Sequence, residues 1–546
     1  MLRRPSGLAN LWKQSSASLV LAAVWVVLSA SVNLRYPGPE LEYWYILPSV
    51  DITVLLLTFA LMGLRGWRMP ARGLWFLSGL LVFIRLLRIG DGVRTRYFST
   101  TFSLYMDTRL LPELVRLYYS TESHLKFTLT CVGVIMGLLV LIWATHLCVK
   151  LASSTLTDHR AIQLFLGAVG LLILVSPLAN RNQMQLGIFG KSAVPRLIEE
   201  AKFLVLGSSY RAAVLDNIAQ VDTKVRTHPN NLAKLDGSNV YLFIIESYGQ
   251  TLIDRPVYNA QATEIYALFE SGLQPLGFHI ASDLLDSSTY GGSSWLAHAT
   301  LGTGILTDNQ FKYRTVSESK PLTLAAVFHA AGYRTILAQP ATTRPWPEGD
   351  FYRFDQQYYA WNFKYQGPRY SWAPMPDQYV IDFIRRKELT ETRHRLFLQY
   401  ALVSSHAPWN QQPPMIYNES NLVDGKIYNK RRARTFPTDW SDMTHAGDAY
   451  VHSIQYDLEV LRRYIAKYIH DDSLIIILGD HQPNGDITAN SPARGVPIHV
   501  ISRKQALVDA FLSQGYVSGM RPDLKRPHLE MADFFPTLVQ EFSAPS

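Results

Sequence analysis

Hydrophobic runs of two lengths divide this chain of 546 residues. In the first third the apolar positions form long stretches, about 17–34, 50–65, 73–90, 127–149 and 161–179. The first, fourth and fifth are long enough for a helix to cross a hydrocarbon core of about 30 Å. The second and third are shorter or carry Arg85 and Arg88 near one end, where snorkelling to the interface is tolerated. The pattern predicts five spans, with four as the alternative. Further along the apolar runs shorten: NVYLFII (239–245), RTILAQ (334–339), RLFLQYAL (395–402), SLIIILG (473–479) and PIHVIS (497–502). These read as strands buried on both faces of a largely parallel sheet. Between them, 320–332 and 445–469 have helical spacing. Strands alternating with helices predict an α/β sandwich. The expected organisation is a transmembrane domain of five helices over 1–180, a linker with helices over 181–235, and a soluble α/β domain over 236–546.

Charge sharpens this division. The chain carries 52 Lys+Arg against 44 Asp+Glu, a net of +8. Residues 1–180 hold 16 and 8 of these, so the whole excess lies among the apolar stretches and the remaining 36 and 36 cancel. Charge so placed orients membrane segments and argues against nucleic-acid binding. Arg3, Arg4 and Lys13 precede the first stretch, which lacks a small-residue cleavage site and reads as a retained anchor. Basic loops at Arg65, Arg68 and Arg72 and at Lys150 and Arg160 fall inside, while the loop with Glu40 and Glu42 falls outside. Five spans then put everything after residue 180 outside the cytoplasm. The two cysteines, Cys131 and Cys148, share one stretch roughly 25 Å apart along a helix and read as packing residues. Two segments keep two readings each. Residues 91–126 form either a short helix capping the bundle or an interfacial amphipathic helix. The aromatic-rich 351–372 forms either a loop near a pocket or a packed surface loop.

In open α/β sheets, reactive groups gather at the carboxyl ends of strands. Glu246 ends one strand in YLFIIESYGQ, and Asp480 and His481 end another in IIILGDHQP. Between them STYGGSSWLAHATLGTG (288–304) is a Gly/Ser turn leading into a helix start, where a serine would meet the N-terminal amides. Singly, these are ordinary cap and salt-bridge residues. Together, two carboxylates, an imidazole and the Ser294 hydroxyl make a tetrahedral Zn²⁺ set. Serine is a poor nucleophile at neutral pH, and coordination stabilises its alkoxide.

On these residues the chain resembles the membrane-anchored phosphoethanolamine and phosphoglycerol transferases of the alkaline phosphatase superfamily, sulfatase-like enzymes that include lipoteichoic acid synthase and the lipid A phosphoethanolamine transferases. The resemblance implies an α-helical membrane bundle followed by an α/β sandwich of the alkaline phosphatase/sulfatase type. It implies Zn²⁺, with Mn²⁺ as the alternative, held by Glu246, Ser294, Asp480 and His481. The register for Ser294 rests on the Thr303-Gly304 pair that follows it, with Ser293 as the near rival. The superfamily's Asp-x-x-Pro-Thr turn is matched by DFFPT (533–537). His406, in LVSSHAPW, matches a Ser-His-x-Pro element whose imidazole contacts the transferred phosphate. His298 lies one turn beyond Ser294 and can face the phosphate or the leaving group. His499 reads as structural, His445 and His452 as either, and Arg344 and Trp346 as candidates for a head-group pocket.

Two departures narrow the resemblance. The soluble part has no cysteine, unlike the disulfide-bearing lipid A transferases, and Leu296 and His298 stand where a sulfatase needs Pro or Ala and then Arg. The implied activity is transfer of a phospho-alcohol head group from a membrane phospholipid to a glycan or glycolipid through a phospho-serine. The implied place is the bacterial inner membrane, multi-pass, with the catalytic domain on the periplasmic or extracellular side. The alternatives are a metal-dependent phosphodiesterase or sulfatase-like hydrolase, and a non-catalytic lipid-binding regulator.

Overall fold

The computed structural model describes residues 6–35, 47–98, 101–121, 123–181, 189–190, 192–227, 230–389, 395–439, 443 and 445–544. Arg3, Arg4, Glu40 and Glu42 lie outside the described residues. The chain forms two compact units, 1–96 with 100–207 and 97–99 with 208–546.

In the first unit the helices Ser6–Asn33, Val50–Leu64, Ala71–Phe98, His124–Thr155 and His159–Arg181 occupy the five apolar stretches. Ser16–Asn33, Ala71–Phe98 and His124–Thr155 are long and apolar enough to cross a membrane, whereas Val50–Leu64 and Arg160–Leu172 are apolar but shorter. Leu28, Val32, Leu56, Ile84 and Val149 meet in the core of the unit. The outer face of His124–Thr155 stays apolar: Val134 and Trp143 are 65% and 64% exposed, a surface suited to lipid rather than water. The arginines of the third stretch do not snorkel. Arg88 is buried and its Nε donates to the Val32 carbonyl at 3.1 Å, while Arg85 donates to the Leu34 carbonyl. The last carbonyls of Ser6–Asn33 have no intrahelical donor, and these guanidinium groups supply one. Asp91, itself buried, balances Arg88 at 3.8 Å and Arg196 at 3.3 Å. Within 91–126, helices Leu104–Asp107 and Leu111–Thr121 form, and the second leaves Leu111, Leu114, Val115 and Tyr119 exposed. Among the described residues of 181–235 there is one long helix, Val194–Arg226, and a short turn of helix at Ala233–Leu235.

The second unit is built on a mixed sheet. Its strands are β1 (Val240–Ile245), β2 (His279–Asp286), β3 (Arg334–Gln339), β4 (Gln356–Tyr359), β5 (Leu396–Ala401), β8 (Leu474–Gly479), β9 (Gly495–Ser502), β10 (Val517–Ser518) and β11 (Leu529–Glu530). A separate two-stranded ribbon pairs β6 (Gln411–Gln412) with β7 (Arg434–Thr435). The main order is β10-β2-β9-β8-β1-β5-β3-β4, with β11 on β2. Strands β8, β1, β5, β3 and β4 run parallel, and β9 is antiparallel to both β8 and β2. All six residues of β1 are buried, as a strand covered on both faces requires. Tyr241, Phe243 and Ile245 pack towards helices Pro256–Leu273 and Ala446–Tyr468. Val240, Leu242 and Ile244 pack on the other face with residues of Leu324–Ala330, Gln505–Leu512 and Met531–Phe542. A fully buried side chain of this kind contributes about 1.5–3 kcal/mol.

Strand β2 carries no clean apolar run, because Ser282 and Asp283 interrupt it. Both polar groups have partners inside: Ser282 Oγ lies 2.7 Å from His499 Nδ1, and Asp283 forms an ion pair with Arg526 at 3.3 Å. His499 also lies 2.8 Å from the Tyr248 hydroxyl, and burial pushes its imidazole down to about 3, as befits a neutral structural histidine. The segment 351–372 contains β4 at the sheet edge as well as loop.

Candidate metal centre

Parallel pairing of β1 with β8 sets Ile245 beside Gly479, so Glu246 and Asp480 emerge side by side at the carboxyl edge. On the other flank of β1, β5 ends at Ala401 beside Ile244 and leads into the loop bearing His406. Gly479 permits the close fit: a Cβ there would lie 1.8 Å from the Tyr248 carbonyl oxygen.

The serine arrives from the end of β2. Tyr290 bridges to Gln482, and the Gly291 amide donates to the Gln482 carbonyl at 2.9 Å, tying the Gly/Ser turn to the residues after β8. Ser293 adopts φ 65°, a left-handed conformation that a non-glycine residue rarely takes, and helix Ser294–Thr303 starts at the next residue. That turn aims the Ser294 hydroxyl at the centre. Its Oγ donates to Glu246 Oε2 at 2.9 Å and lies 3.2 Å from His481 Nε2. Ser294 is therefore not the helix cap; Ser293 occupies that position. The same helix ends at Gly304, φ 69°, which packs on Pro536 of the DFFPT motif.

Glu246, Asp480 and His481 are all buried, and one ligand atom from each falls within 4.8 Å of the others. His481 Nδ1 donates to the Gln482 carbonyl at 2.7 Å, which turns Nε2 to Glu246 Oε1 at 3.2 Å and Asp480 Oδ2 at 3.6 Å. Asp480 Oδ1 accepts from the amides of Ser247 and His481 at 2.8 and 2.7 Å. Its Oδ2, equally buried, has no hydrogen-bond partner. An enclosed carboxylate oxygen without a donor, facing a second carboxylate, an imidazole nitrogen and a hydroxyl, fits a divalent cation.

The electrostatics match that fit. Burial and then the charge of Glu246 push Asp480 up to about 7. Burial alone would lower His481, but Asp480 and Glu246 raise it to about 9. For Glu246, burial opposes ionisation, yet the imidazoles of His481 and His406 outweigh it and hold the carboxyl well below the usual range. Protons on Asp480 and His481 thus offset part of the negative charge that a cation would balance.

The other predicted residues distribute as follows. His298, half-buried on the serine's helix, is within electrostatic reach of Glu246 and His481, and burial pushes it down to about 4. It is neutral at pH 7. His406 Nδ1 donates to the Ala407 carbonyl at 2.6 Å, and its ring stacks on Trp372 at 4.1 Å between centroids. The aromatic-rich segment ending at Trp372 therefore does reach the site. His445 precedes helix Ala446–Tyr468 and is exposed, whereas His452 pairs with Asp448 at 3.4 Å and contacts Arg434. Arg344 is exposed, and Trp346 packs against Tyr352.

Sequence reasoning missed two buried acids near the His406 loop, one of which holds it. Asp377 accepts from the Val403 amide at 2.9 Å and the Ser404 amide at 2.6 Å, while its own amide donates to Ser404 Oγ at 3.0 Å. The next residue, Ser405, donates to the Glu246 carbonyl at 2.7 Å. Asp457 is fully buried beside this array, and burial together with Asp377 pushes its carboxyl well up. The signal was faint, since an Asp after Pro376 looks like any first-turn acid. Because the native state keeps a proton that the unfolded chain loses above about pH 4, this pair's stability contribution is full below that pH and is lost as pH rises through the folded values. Asp457→Asn is expected to reduce the fall in melting temperature between pH 5 and 7, leaving the parts due to Asp377 and Asp480, as thermal unfolding of the metal-free protein would record.

Residues 287–540 match the family model described as Sulfatase. No curated protein matches the chain. Among solved structures it is similar to the lipoteichoic acid synthase LtaP from Listeria monocytogenes, at 15% identity over 56% of this chain and 72% of that one, with a TM-score of 0.35. It is also similar to the phosphoglycerol transferase GacH from Streptococcus pyogenes in complex with sn-glycerol-1-phosphate, at 14% identity over 61% and 91%, TM-score 0.36. The soluble domain of lipooligosaccharide phosphoethanolamine transferase A from Neisseria meningitidis matches at 11% identity over 56% and 88%, TM-score 0.38.

Proposed function

We propose, from the match of residues 287–540 to the Sulfatase family model and the geometry above, that this protein is a membrane-anchored phosphotransferase moving a phospho-alcohol head group from a phospholipid to a glycan or glycolipid. The observation that carries the reading is the Ser294 hydroxyl, held 2.9 Å from Glu246 and 3.2 Å from His481 beside the unpartnered oxygen of Asp480. Glu246, Asp480, His481 and Ser294 would hold the cation, Zn²⁺ or Mn²⁺. Bound there, it would favour the ionised serine and draw charge from the phosphoryl oxygens.

The remaining chemistry falls to the chain. Ser294 Oγ, presented by the strained turn at Ser293, attacks the phosphorus of phosphatidylethanolamine or phosphatidylglycerol. The bond to the diacylglycerol oxygen breaks, that oxygen takes a proton, and phospho-serine remains. Neutral His298, on the same helix as Ser294, suits a hydrogen bond to the phosphate or the leaving group, and His406, fixed by Trp372 and the Ala407 carbonyl, suits contact with the phosphate. An acceptor hydroxyl then attacks the phospho-serine, transferring the group and restoring the hydroxyl. The five apolar helices support a multi-pass anchor of five spans in the bacterial inner membrane, and the basic loops support a catalytic domain outside the cytoplasm.

The competing hydrolase differs in one product. Incubating purified protein with radiolabelled phosphatidylethanolamine or phosphatidylglycerol, with and without a cell-envelope glycolipid fraction, is expected to release diacylglycerol from one donor and to label the glycolipid. Release of the whole head group to water at an undiminished rate, with no labelled glycolipid, identifies a hydrolase instead.

A further inference from the structure

The soluble part is electroneutral in sum but not in detail. Four cations, Lys430, Arg431, Arg432 and Arg434, fall within five residues, and all four are exposed. Among the described residues Lys430, Arg431 and Arg432 have no ion-pair partner. Arg434 is held in place, its Nη2 2.8 Å from His452 Nε2 and its guanidinium 4.9 Å from the Phe436 ring centre.

The fold attaches this basic run to the His406 loop. After Trp409 the chain passes through Asn410, whose carbonyl accepts from the Phe436 amide at 3.0 Å, into β6. There Gln411 pairs with Thr435 and Gln412 with Arg434. Two amide oxygens here, Asn410 Oδ1 just before β6 and Gln412 Oε1 on it, are enclosed without a hydrogen-bond partner. Gln412 also lines a groove with Phe269, Met415, Gln455, Glu459 and Arg462. A ligand donor that reached this oxygen would relieve the penalty of an unsatisfied acceptor.

We propose that the β6–β7 ribbon and this groove form the acceptor subsite and take an anionic carbohydrate chain, an inference that rests on the transfer reaction above. The amides of Gln412 and Gln455 and the Arg462–Glu459 pair around a partly apolar floor suit sugar hydroxyls and ring faces, and the unpaired cations of the 430–432 run select acidic substituents. A lipid surface fits less well. The exposed ribbon residues Gln411, Arg434 and Thr435 are all polar, and neither strand of the ribbon offers an apolar side chain to insert among acyl chains.

The test is equilibrium binding of fluorescent polygalacturonate to the full-length protein in detergent, with neutral dextran and phosphatidylglycerol vesicles as the comparison arms. Wild-type protein is expected to prefer polygalacturonate to dextran at least tenfold at low salt. Lys430→Glu with Arg431→Glu and Arg432→Glu is expected to abolish that preference and flatten the salt dependence. Gln412→Leu is expected to weaken binding several-fold at every salt concentration, the sign of a lost hydrogen bond rather than lost charge. Equal affinity for dextran, or unchanged binding in either variant, overturns the proposal. So does charge-dependent binding to the vesicles alone, which would make the ribbon a membrane face. Polysaccharide binding needs no donor, and adduct formation at Ser294 needs no acceptor, so the subsite and the reaction can fail separately.

Discussion

Ser294→Ala is expected to lower diacylglycerol release by ~10³-fold or more while leaving the fold intact. The methyl group cannot attack phosphorus, and it leaves Glu246 Oε2 and His481 Nε2 without the hydroxyl that sits 2.9 and 3.2 Å from them. Alanine suits the first turn of helix Ser294–Thr303, so stability is expected to change by less than about 1 kcal/mol. The neighbouring serine gives the contrast. Ser293→Ala keeps the Ser294 hydroxyl but puts alanine at φ 65°, where it is strained, so a fall of about tenfold with a lower melting temperature is expected. Release assays on both variants check this, and a dead Ser293 variant beside an active Ser294 variant would reverse the assignment.

The second large effect concerns Asp480. Asp480→Asn is expected to leave purified protein with little bound divalent metal and to lower turnover by a factor similar to that of Ser294→Ala. The amide can still accept from the Ser247 and His481 amides through one oxygen. It cannot supply the charged oxygen that lies buried and unpartnered in the native site. Elemental analysis after gel filtration, alongside turnover, reads the effect. The wild-type site carries its own signature. With Asp480 raised to about 7 and His481 to about 9, metal loading at pH 7.5 must displace protons, and affinity should fall as pH drops from 8 to 6. Calorimetry in buffers of different ionisation enthalpy measures the proton release, and a pH-independent affinity would contradict the ligand set.

Much of the site was legible because its residues follow short apolar runs, and a parallel sheet brings the ends of such runs together. YLFII before Glu246 and LIIILG before Asp480 specify neighbouring central strands, and register does the rest. What was illegible depends on packing that no local pattern records. Strand β2 is hidden because Ser282 and Asp283 find partners in His499 and Arg526, distant in sequence. Arg85 and Arg88 looked like snorkelling residues, and only the meeting of two helices shows that they serve carbonyls at the end of the first. The acids Asp377 and Asp457 stand 80 residues apart and look unremarkable until the His406 loop folds onto one of them. The balanced charge of the soluble part concealed the basic ribbon, because a sum reports nothing about position.

Mass spectrometry of the protein after exposure to head-group-labelled phospholipid, without acceptor, tests the covalent step most directly. The expected result is a single head-group phosphate on the peptide bearing Ser294, absent from Ser294→Ala and discharged when the acceptor fraction is added. Steady diacylglycerol release with Ser294 unmodified, or an adduct that forms equally in Ser294→Ala, would contradict it.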